Sequence, residues 1–210
     1  MEKMRKSSFI ALITVFAAFT IVCDSLVGPF PNISGVWWSW IFIAAPINGI
    51  ILGPQASFFS TLIGVMVGHS IYFRDSVEFL FTMGAPVGAA VSSLVFKGKG
   101  NIVVIYYTLL LGAFFATPVS WQLPFWGMWD VYLAFGLLLI SVIATMKKDD
   151  LWNTRFDHRK LLYVVALSTF IGLEADVLFR IFILIPCRTY QNIFRWDVGI
   201  LQSVWAFGAV

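Results

Sequence analysis

The sequence has few charged residues, which make up 12% of its 210 residues and leave a net charge of +3. Ordinary soluble domains contain roughly 25% charged residues, whereas 60% of this chain is hydrophobic. The shortage of charge excludes a soluble domain, and the continuous apolar runs differ from the alternating pattern of a membrane barrel. We therefore expect an all-α polytopic transmembrane helix bundle, with residues 1–210 in a single integral membrane domain.

The sequence also lacks the motifs of common enzyme classes, since HExxH, GxSxG, the P-loop and the Rossmann glycine pattern do not occur. We expect no enzyme activity, no cofactor and no metal site. Without a nucleotide site the chain cannot power transport alone. The two cysteines, Cys23 and Cys187, have no metal-ligand spacing. They are compatible with a disulfide, but two buried free thiols are favoured.

Apolar runs of about 17–25 residues are long enough to cross ~30 Å of hydrocarbon, and they predict six to eight spans. An eighth run begins near Trp196 and has only roughly 22 Å of helix before the sequence ends, so it is a half-span or an incomplete one. A hydrophilic linker is predicted at 149–160. The seven longer predicted spans are Ser7–Cys23, Trp37–Leu52, Gln55–Phe73, Phe79–Phe96, Ile102–Ser120, Trp129–Met146 and Leu161–Ile185.

The distribution of basic residues predicts a cytoplasmic N-terminus. Alternate threading from that side places ten of the 14 Lys and Arg residues inside, as the positive-inside rule requires. The inner set contains all seven lysines with Arg5, Arg155 and Arg159, and the four that lie outside or near the outer face are Arg74, Arg180, Arg188 and Arg195.

The stretch Trp37–Phe73 reads as a helical hairpin folded about Gly53 and Pro54. We expect this hairpin to form one wall of a binding site open to the outside. Pro46 and Asn48 interrupt its first run. They predict either a broken helix whose free carbonyls face a ligand, as in transporters, or a kink that is packed against its neighbours.

Six of the nine tryptophans fall at the predicted outer face. Aromatic rings stack on flat heterocyclic ligands, but tryptophan also concentrates at membrane interfaces, so both interpretations stay open. The six candidates for substrate binding are Trp37, Trp38, Trp40, Trp121, Trp126 and Trp129.

Polar residues near the same face complete the candidate site. His69 lies near the end of the third span, and Arg74 follows it in a loop where it is able to clamp a carboxylate or phosphate. A local pair between Arg74 and Glu78 is the alternative. Asp130 lies at the edge of a later outer loop, and its charge with that of Arg74 does not decide the sign of a substrate.

Three ionisable residues lie inside one predicted span, where such residues are costly and mark functional or paired sites. Asp176 and Arg180 are four residues apart on one helical face and predict an internal ion pair. Glu174 points to roughly the opposite face and needs a different neighbour, so we include it among the candidate substrate-binding residues.

The basic start Glu2–Lys6, the loop Gly28-Pro29-Phe30-Pro31 and the stretch ILGPQASFFSTLIGVMVGH (Ile51–His69) together resemble the substrate-binding S component of energy-coupling-factor (ECF) vitamin transporters. The last stretch resembles the family's LLGPxxGxxxGxxxG-like run. The resemblance covers residues 1–148, which supply the six spans of that family, and 161–210 would add C-terminal helices.

This resemblance implies a multi-pass protein of the cell membrane that binds a small vitamin-like micronutrient from outside with high affinity. The loop Asp24–Val36 would act as a lid. Separate ATPase subunits would supply energy through a transmembrane coupling protein. The coupling protein would dock on small residues of the first helix, here Ser7, Ala11, Thr14 and Ala18.

Two other functions remain open. In a stand-alone ion-coupled secondary transporter, Glu174, Asp176 and Arg180 would handle an ion or a proton. An intramembrane enzyme is least favoured, because its available groups include His69 and His158 on opposite sides of the membrane.

Overall fold

The computed structural model describes residues 6–26, 39–73, 78–147 and 158–206. Every regular element in these ranges is a helix, which confirms the predicted all-α fold. Two 3₁₀ turns, Pro118–Gln122 and Phe125–Met128, connect the sixth and seventh helices. The α-helices are α1 Lys6–Ser25, α2 Ile41–Leu52, α3 Pro54–Ile71, α4 Glu78–Phe81, α5 Gly84–Phe96, α6 Gly100–Ala116, α7 Trp129–Lys147, α8 His158–Leu184, α9 Thr189–Asn192 and α10 Val198–Ala206.

Four helical stretches are long and apolar enough to cross a membrane, so the predicted class of helical membrane protein is confirmed at this level. α2 and α6 are apolar but shorter. The four stretches are Ser7–Ser25, Phe79–Phe96, Phe125–Thr145 and His158–Leu184.

The bounds of several elements differ from those expected. The predicted span Phe79–Phe96 is divided into α4 and α5, α6 ends at Ala116 rather than Ser120, and α8 begins at His158 within the predicted linker. α2 begins at Ile41 and continues unbroken through Pro46, so the helix is not broken at its centre. Proline removes one backbone donor, but the buried Ala45 and Asn48 hold this turn against its neighbours. α10 begins at Val198 rather than near Trp196, and its described residues pack on the two 3₁₀ turns, where Gln202 Nε2 donates to the Gln122 carbonyl oxygen at 2.7 Å.

Glycines allow α5 and α8 to pack backbone to backbone, the geometry that small-residue motifs give to membrane helices. A Cβ atom at Gly88 would lie 2.7 Å from the Gly172 carbonyl oxygen, and one at Gly84 would overlap the Asp176 carboxylate. α5 also contacts α2 and α3 and is therefore the central helix of the described bundle. α8 lies beside α5 at the centre of the bundle. The predicted division between a core at 1–148 and additional C-terminal helices at 161–210 stays a prediction.

α1 and α3 run parallel and in close contact. Thr20 lies against Gly64, and Asp24 lies against Gly68, so the two pairs are in register along both helices. At each point the α1 side chain packs directly on the glycine backbone of α3. This close approach places the polar residues of α1 directly on α3.

The other half of the bundle has a larger apolar core. α6, α7 and α8 bury large side chains together, and Trp205 of α10 stacks on Phe114 at a centroid distance of 5.7 Å. Tyr107, Leu138 and Ile171 are fully buried in this core. The bundle therefore has a small-residue, polar part around α1–α3 and a large-residue, apolar part around α6–α8.

Candidate functional site

The structure collects polar residues in two places, and all of them are buried except Tyr106 and Asp130, which are half-buried. The first, which we call the α1–α3 cluster, consists of Thr20, Asp24, Ser39, Asn48, Thr61 and His69. The second, the Glu174 site, consists of Tyr106, Tyr107, Asp130 and Glu174 where α6, α7 and α8 meet.

Asn48 joins three helices within the α1–α3 cluster. Its amide nitrogen donates to Thr20 Oγ1 at 2.8 Å and to Thr61 Oγ1 at 2.9 Å, and the residue is fully buried. Both amide hydrogens are therefore used. Asn48 Oδ1 has no hydrogen-bond partner within the described residues. The geometry agrees with the interpretation of a packed helix rather than a broken one.

His69 is buried and linked to α1. Its Nδ1 lies 3.0 Å from Asp24 Oδ2 and 2.8 Å from the Val65 carbonyl oxygen. Because both neighbours are acceptors, Nδ1 carries a proton. Ser39 Oγ donates to Asp24 Oδ1 at 3.0 Å, and the Phe79 ring lies 5.5 Å from the imidazole. Asp24 and Ser39 lie far from His69 in the sequence, and their contacts tie the ends of α1 and α3 to the start of α2.

Glu174 occupies an apolar position of α8. Residues spaced by three and four face the core together, and the stripe that contains Glu174 is otherwise apolar and buried. Glu174 is 9% exposed, and its Oε2 has no hydrogen-bond partner in the part of the chain that the structure describes. The other members of this stripe are Leu167, Ile171, Leu178, Ile181 and Ile185.

The neighbours of Glu174 are aromatic and acidic. Tyr107 hydroxyl donates to the Ile171 carbonyl oxygen at 2.7 Å, one helical turn before Glu174, and Tyr106 hydroxyl donates to the Ala175 carbonyl oxygen at 2.8 Å. Tyr107 and Asp130 are both within electrostatic range of Glu174. Two of the predicted site residues, Asp130 and Glu174, are thus brought into one neighbourhood.

The predicted ion pair on α8 is present. Arg180 Nε lies 2.7 Å from Asp176 Oδ1, and Nη2 lies 3.4 Å from Oδ2. Asp176 packs on α5 at Gly84, whereas Glu174 is directed to α6 and α7. The expected separation of the two carboxylates around the helix is therefore observed.

The four candidate tryptophans that the structure describes lie at the surface. Their side chains are between 44% and 76% exposed, so none is enclosed by the described residues. Exposed rings next to apolar helices fit the interpretation of a membrane-interface belt, and ligand stacking stays a prediction. These residues are Trp40, Trp121, Trp126 and Trp129.

Three predicted site residues, Trp37, Trp38 and Arg74, lie outside the described residues, as does the proposed lid from residue 27 onward. Of the remainder, Asn48 and His69 belong to the α1–α3 cluster, which is separate from the Glu174 site. The predicted residues therefore divide between two places. Cys23 and Cys187 are free thiols, as favoured from the sequence, but the expected burial is wrong because Cys23 is half-buried and Cys187 is exposed.

The small residues predicted for docking lie on one exposed side of α1. Ser7, Ala11, Thr14 and Ala18 are all exposed, whereas Ala17 and Thr20 of the same helix are buried against α3. α1 therefore has a buried side that packs within the bundle and a separate side that carries the small residues.

Sequence reasoning missed six site residues, which are Thr20, Asp24, Ser39, Thr61, Tyr106 and Tyr107. The positions of Thr20 and Asp24, four residues apart, match those of Gly64 and Gly68, and this pairing of polar residues with glycines was the available signal. Tyr107 had no comparable signal, because tyrosine is common in apolar helices at membrane interfaces.

Comparison with known proteins identifies no relative. No family model matches the chain, and neither a curated protein nor a solved structure is similar to it.

Proposed function

We propose that this protein is the membrane-embedded, solute-binding component of an uptake system whose coupling protein and ATPases are separate chains. Its solute is a small, vitamin-like micronutrient. The observation that carries the proposal is Glu174, a carboxylate at a core position of α8 with one oxygen unpartnered among the described residues.

The energetic cost of this arrangement favours a functional role. An unpartnered buried polar group costs about 1–3 kcal/mol, and a charged one costs more. The neighbouring core positions of α8 are leucine and isoleucine, and either residue would avoid that cost. Ionisable residues within membrane helices are functional candidates for this reason.

The exposed side of α1 supports the proposed interaction with a separate coupling protein. Ala11 and Ala18 are separated by two turns and leave a shallow surface on which another helix is able to approach closely. Small residues on a helix that is also tied to the bundle through Thr20 and Asp24 suit a docking surface for the coupling protein.

The topology that we propose has six to eight spans, a cytoplasmic N-terminus and a location in the cell membrane. The support comes from the ten-to-four distribution of basic residues and from four helices of sufficient length and apolarity. The end of the bundle with Asp24, His69 and the exposed tryptophans would then face outward.

The proposal is tested by purifying the protein in mild detergent and releasing its bound small molecules for mass spectrometry. We expect one compound at a stoichiometric level, and uptake of that compound by cells should require ATPase subunits. A protein that releases no compound and whose intrinsic fluorescence responds to no micronutrient would contradict solute binding.

Docking is tested separately with Ala18→Leu, and Val15→Leu is the control at another exposed position of α1. We expect the first variant to keep its bound compound but to lose ATP-dependent uptake, and the second to keep both. Equal uptake by the two variants would argue against docking on the small residues.

A stand-alone ion-coupled transporter is the second candidate, and the same carboxylate favours it. In that case Glu174→Gln would abolish uptake driven by an ion gradient in vesicles that contain this chain alone. Uptake that needs ATP and other subunits would instead support the first proposal.

A further inference from the structure

We propose that the Glu174 site binds a positively charged nitrogen, and that the solute is therefore an organic cation such as a protonated amine or a quaternary heterocycle. This inference rests on the proposed solute-binding function and adds the chemical class of the solute.

The charges around the site do not balance. Asp130 and Asp176 both act electrostatically on Glu174, and Arg180 contributes one guanidinium beside these three carboxyl groups. Arg180 is bound to Asp176 on the side of α8 that faces α5. A single additional cation between Glu174 and Asp130 would reduce the excess negative charge and give Glu174 Oε2 a partner.

The helices packed against α8 do not offer that cation. α2, α5 and α6 contain no lysine or arginine. Lys147 of α7 lies 17 residues from Asp130, and Arg159 and Lys160 of α8 lie 15 and 14 residues from Glu174. These separations correspond to roughly 20 Å or more along each helix. In the connection that follows α8, Arg188 and Arg195 are exposed.

Aromatic rings favour an organic cation over a metal ion. Tyr107 stacks on Phe135 at a centroid distance of 5.7 Å, and Tyr106 packs edge-on against Tyr107 at 5.8 Å. Aromatic faces attract ammonium groups, above all where water is excluded. Calcium, in contrast, takes six to eight oxygen ligands, and the described residues contain no group of three His, Cys, Asp or Glu side chains arranged to hold a metal.

The test uses three probes that share a flat ring and differ in charge: 1-methylnicotinamide, which is a cation, neutral nicotinamide, and nicotinate, which is an anion. Each is titrated into purified full-length protein depleted of bound compounds, and the shift of the thermal unfolding temperature is measured. We expect the cation to bind at least about tenfold more tightly than either other probe, a difference of about 1.4 kcal/mol.

Variants of Glu174 test whether its charge selects the cationic probe. Glu174→Gln keeps the shape of the side chain and should remove the preference for the cation, whereas Glu174→Asp should retain part of it. Asp197→Asn is the matched control, because Asp197 is an exposed carboxylate that caps α10 through the Ile200 amide. This variant should bind the three probes as the unmodified protein does.

Two results overturn the inference. One is equal or stronger binding of nicotinamide or nicotinate, and the other is any pattern of binding that is the same in Glu174→Gln and the unmodified protein. If a neutral or anionic compound is released from the purified protein, solute binding stands and the cationic class is wrong. If the cation preference depends on Glu174 but uptake needs no ATPase, the class stands and the proposed function is wrong.

Discussion

At the scale of single residues, Asn48 and Glu174 are both buried polar groups in apolar helices, but their surroundings differ. Asn48 of α2 uses both amide hydrogens on Thr20 of α1 and Thr61 of α3, so its nitrogen is satisfied and three helices are joined. Glu174 has an unpartnered oxygen among the described residues. Asn48 Oδ1 is likewise unpartnered among the described residues, so the difference lies in the Asn48 amide group, which joins helices. The Glu174 oxygen is the one that we propose to serve a ligand.

Replacing Asn48 with alanine should destabilise the protein by about 1–3 kcal/mol. Interhelical hydrogen bonds in membranes contribute about 0.6 kcal/mol each on average, and two buried threonine oxygens would lose their donor. Unfolding by denaturant in detergent measures the change. Asn101→Ala, at an exposed position of α6, is the control and should be close to neutral. A neutral Asn48→Ala would mean that the three-helix junction contributes nothing.

Replacing Glu174 with glutamine should stabilise the empty protein, because a buried carboxylate without a full set of partners costs more than a neutral amide. We expect a gain of about 1–3 kcal/mol, seen as a higher thermal unfolding temperature without ligand. The same variant should gain less from the cationic probe. A lower unfolding temperature for the empty variant would indicate that Glu174 holds the fold together.

At the scale of helices, glycine positions decide how closely elements approach. Gly172 of α8 lies against Ser92 and Gly88 of α5, and a Cβ atom there would lie 2.8 Å from the Gly88 carbonyl oxygen. Gly112 of α6 and Gly136 of α7 have no atom within 4 Å of such a Cβ. Glycine is therefore required for a close helix contact at Gly172, whereas Gly112 and Gly136 have room for a side chain.

Gly172→Ala should destabilise the protein by about 1–3 kcal/mol, the usual cost of overpacking, because backbone atoms cannot move aside as a flexible side chain does. Gly112→Ala is the matched control and should be neutral or stabilising by up to about 1 kcal/mol, since alanine favours a helix more than glycine. Thermal unfolding of the two variants side by side gives the comparison. Similar effects at both sites would contradict a close contact between α5 and α8.

At the scale of the whole molecule, the bundle separates two tasks. α1, α2 and α3 are joined by small and polar residues, and α1 leaves its small exposed side outside that contact. α6, α7 and α8 enclose the Glu174 site within large apolar side chains. α5 and α8 connect these parts through direct backbone contact. A partner on α1 and a solute at Glu174 would thus act on different faces of one connected bundle.

The proposed topology predicts which cysteines a membrane-impermeant maleimide labels in intact cells. Cys187 is exposed and follows α8 at the proposed outer end, so we expect it to react in a Cys23→Ser background. Lys99→Cys, at an exposed position of the proposed inner turn before α6, should react only after the cells are opened when both native cysteines are replaced by serine. The opposite labelling pattern would reverse the orientation.

The sequence by itself determined the helices and the local pair Asp176–Arg180. Apolar runs predict helices well because in hydrocarbon every backbone group must find its partner within its own helix, and an i, i+4 pair depends on the same local geometry. The first half of the hairpin was predicted to begin at Trp37, but α2 begins at Ile41. The apolar residues Trp37 and Trp38 carry no signal for the start of a helix. The sequence therefore predicts the body of a helix better than its first residue.

Only the tertiary structure decided which residues meet. Asp24 of α1, Ser39 just before α2 and His69 of α3 are joined, and nothing local in the sequence relates their positions. The exposure of Trp121 and the burial of Trp205 likewise depend on how α10 packs against the 3₁₀ turns. The apolarity of a residue does not show whether it faces lipid or another helix, because lipid tails and apolar side chains are similar environments. Helix contacts in this protein depend on small residues and shape, and these are properties of the assembled bundle.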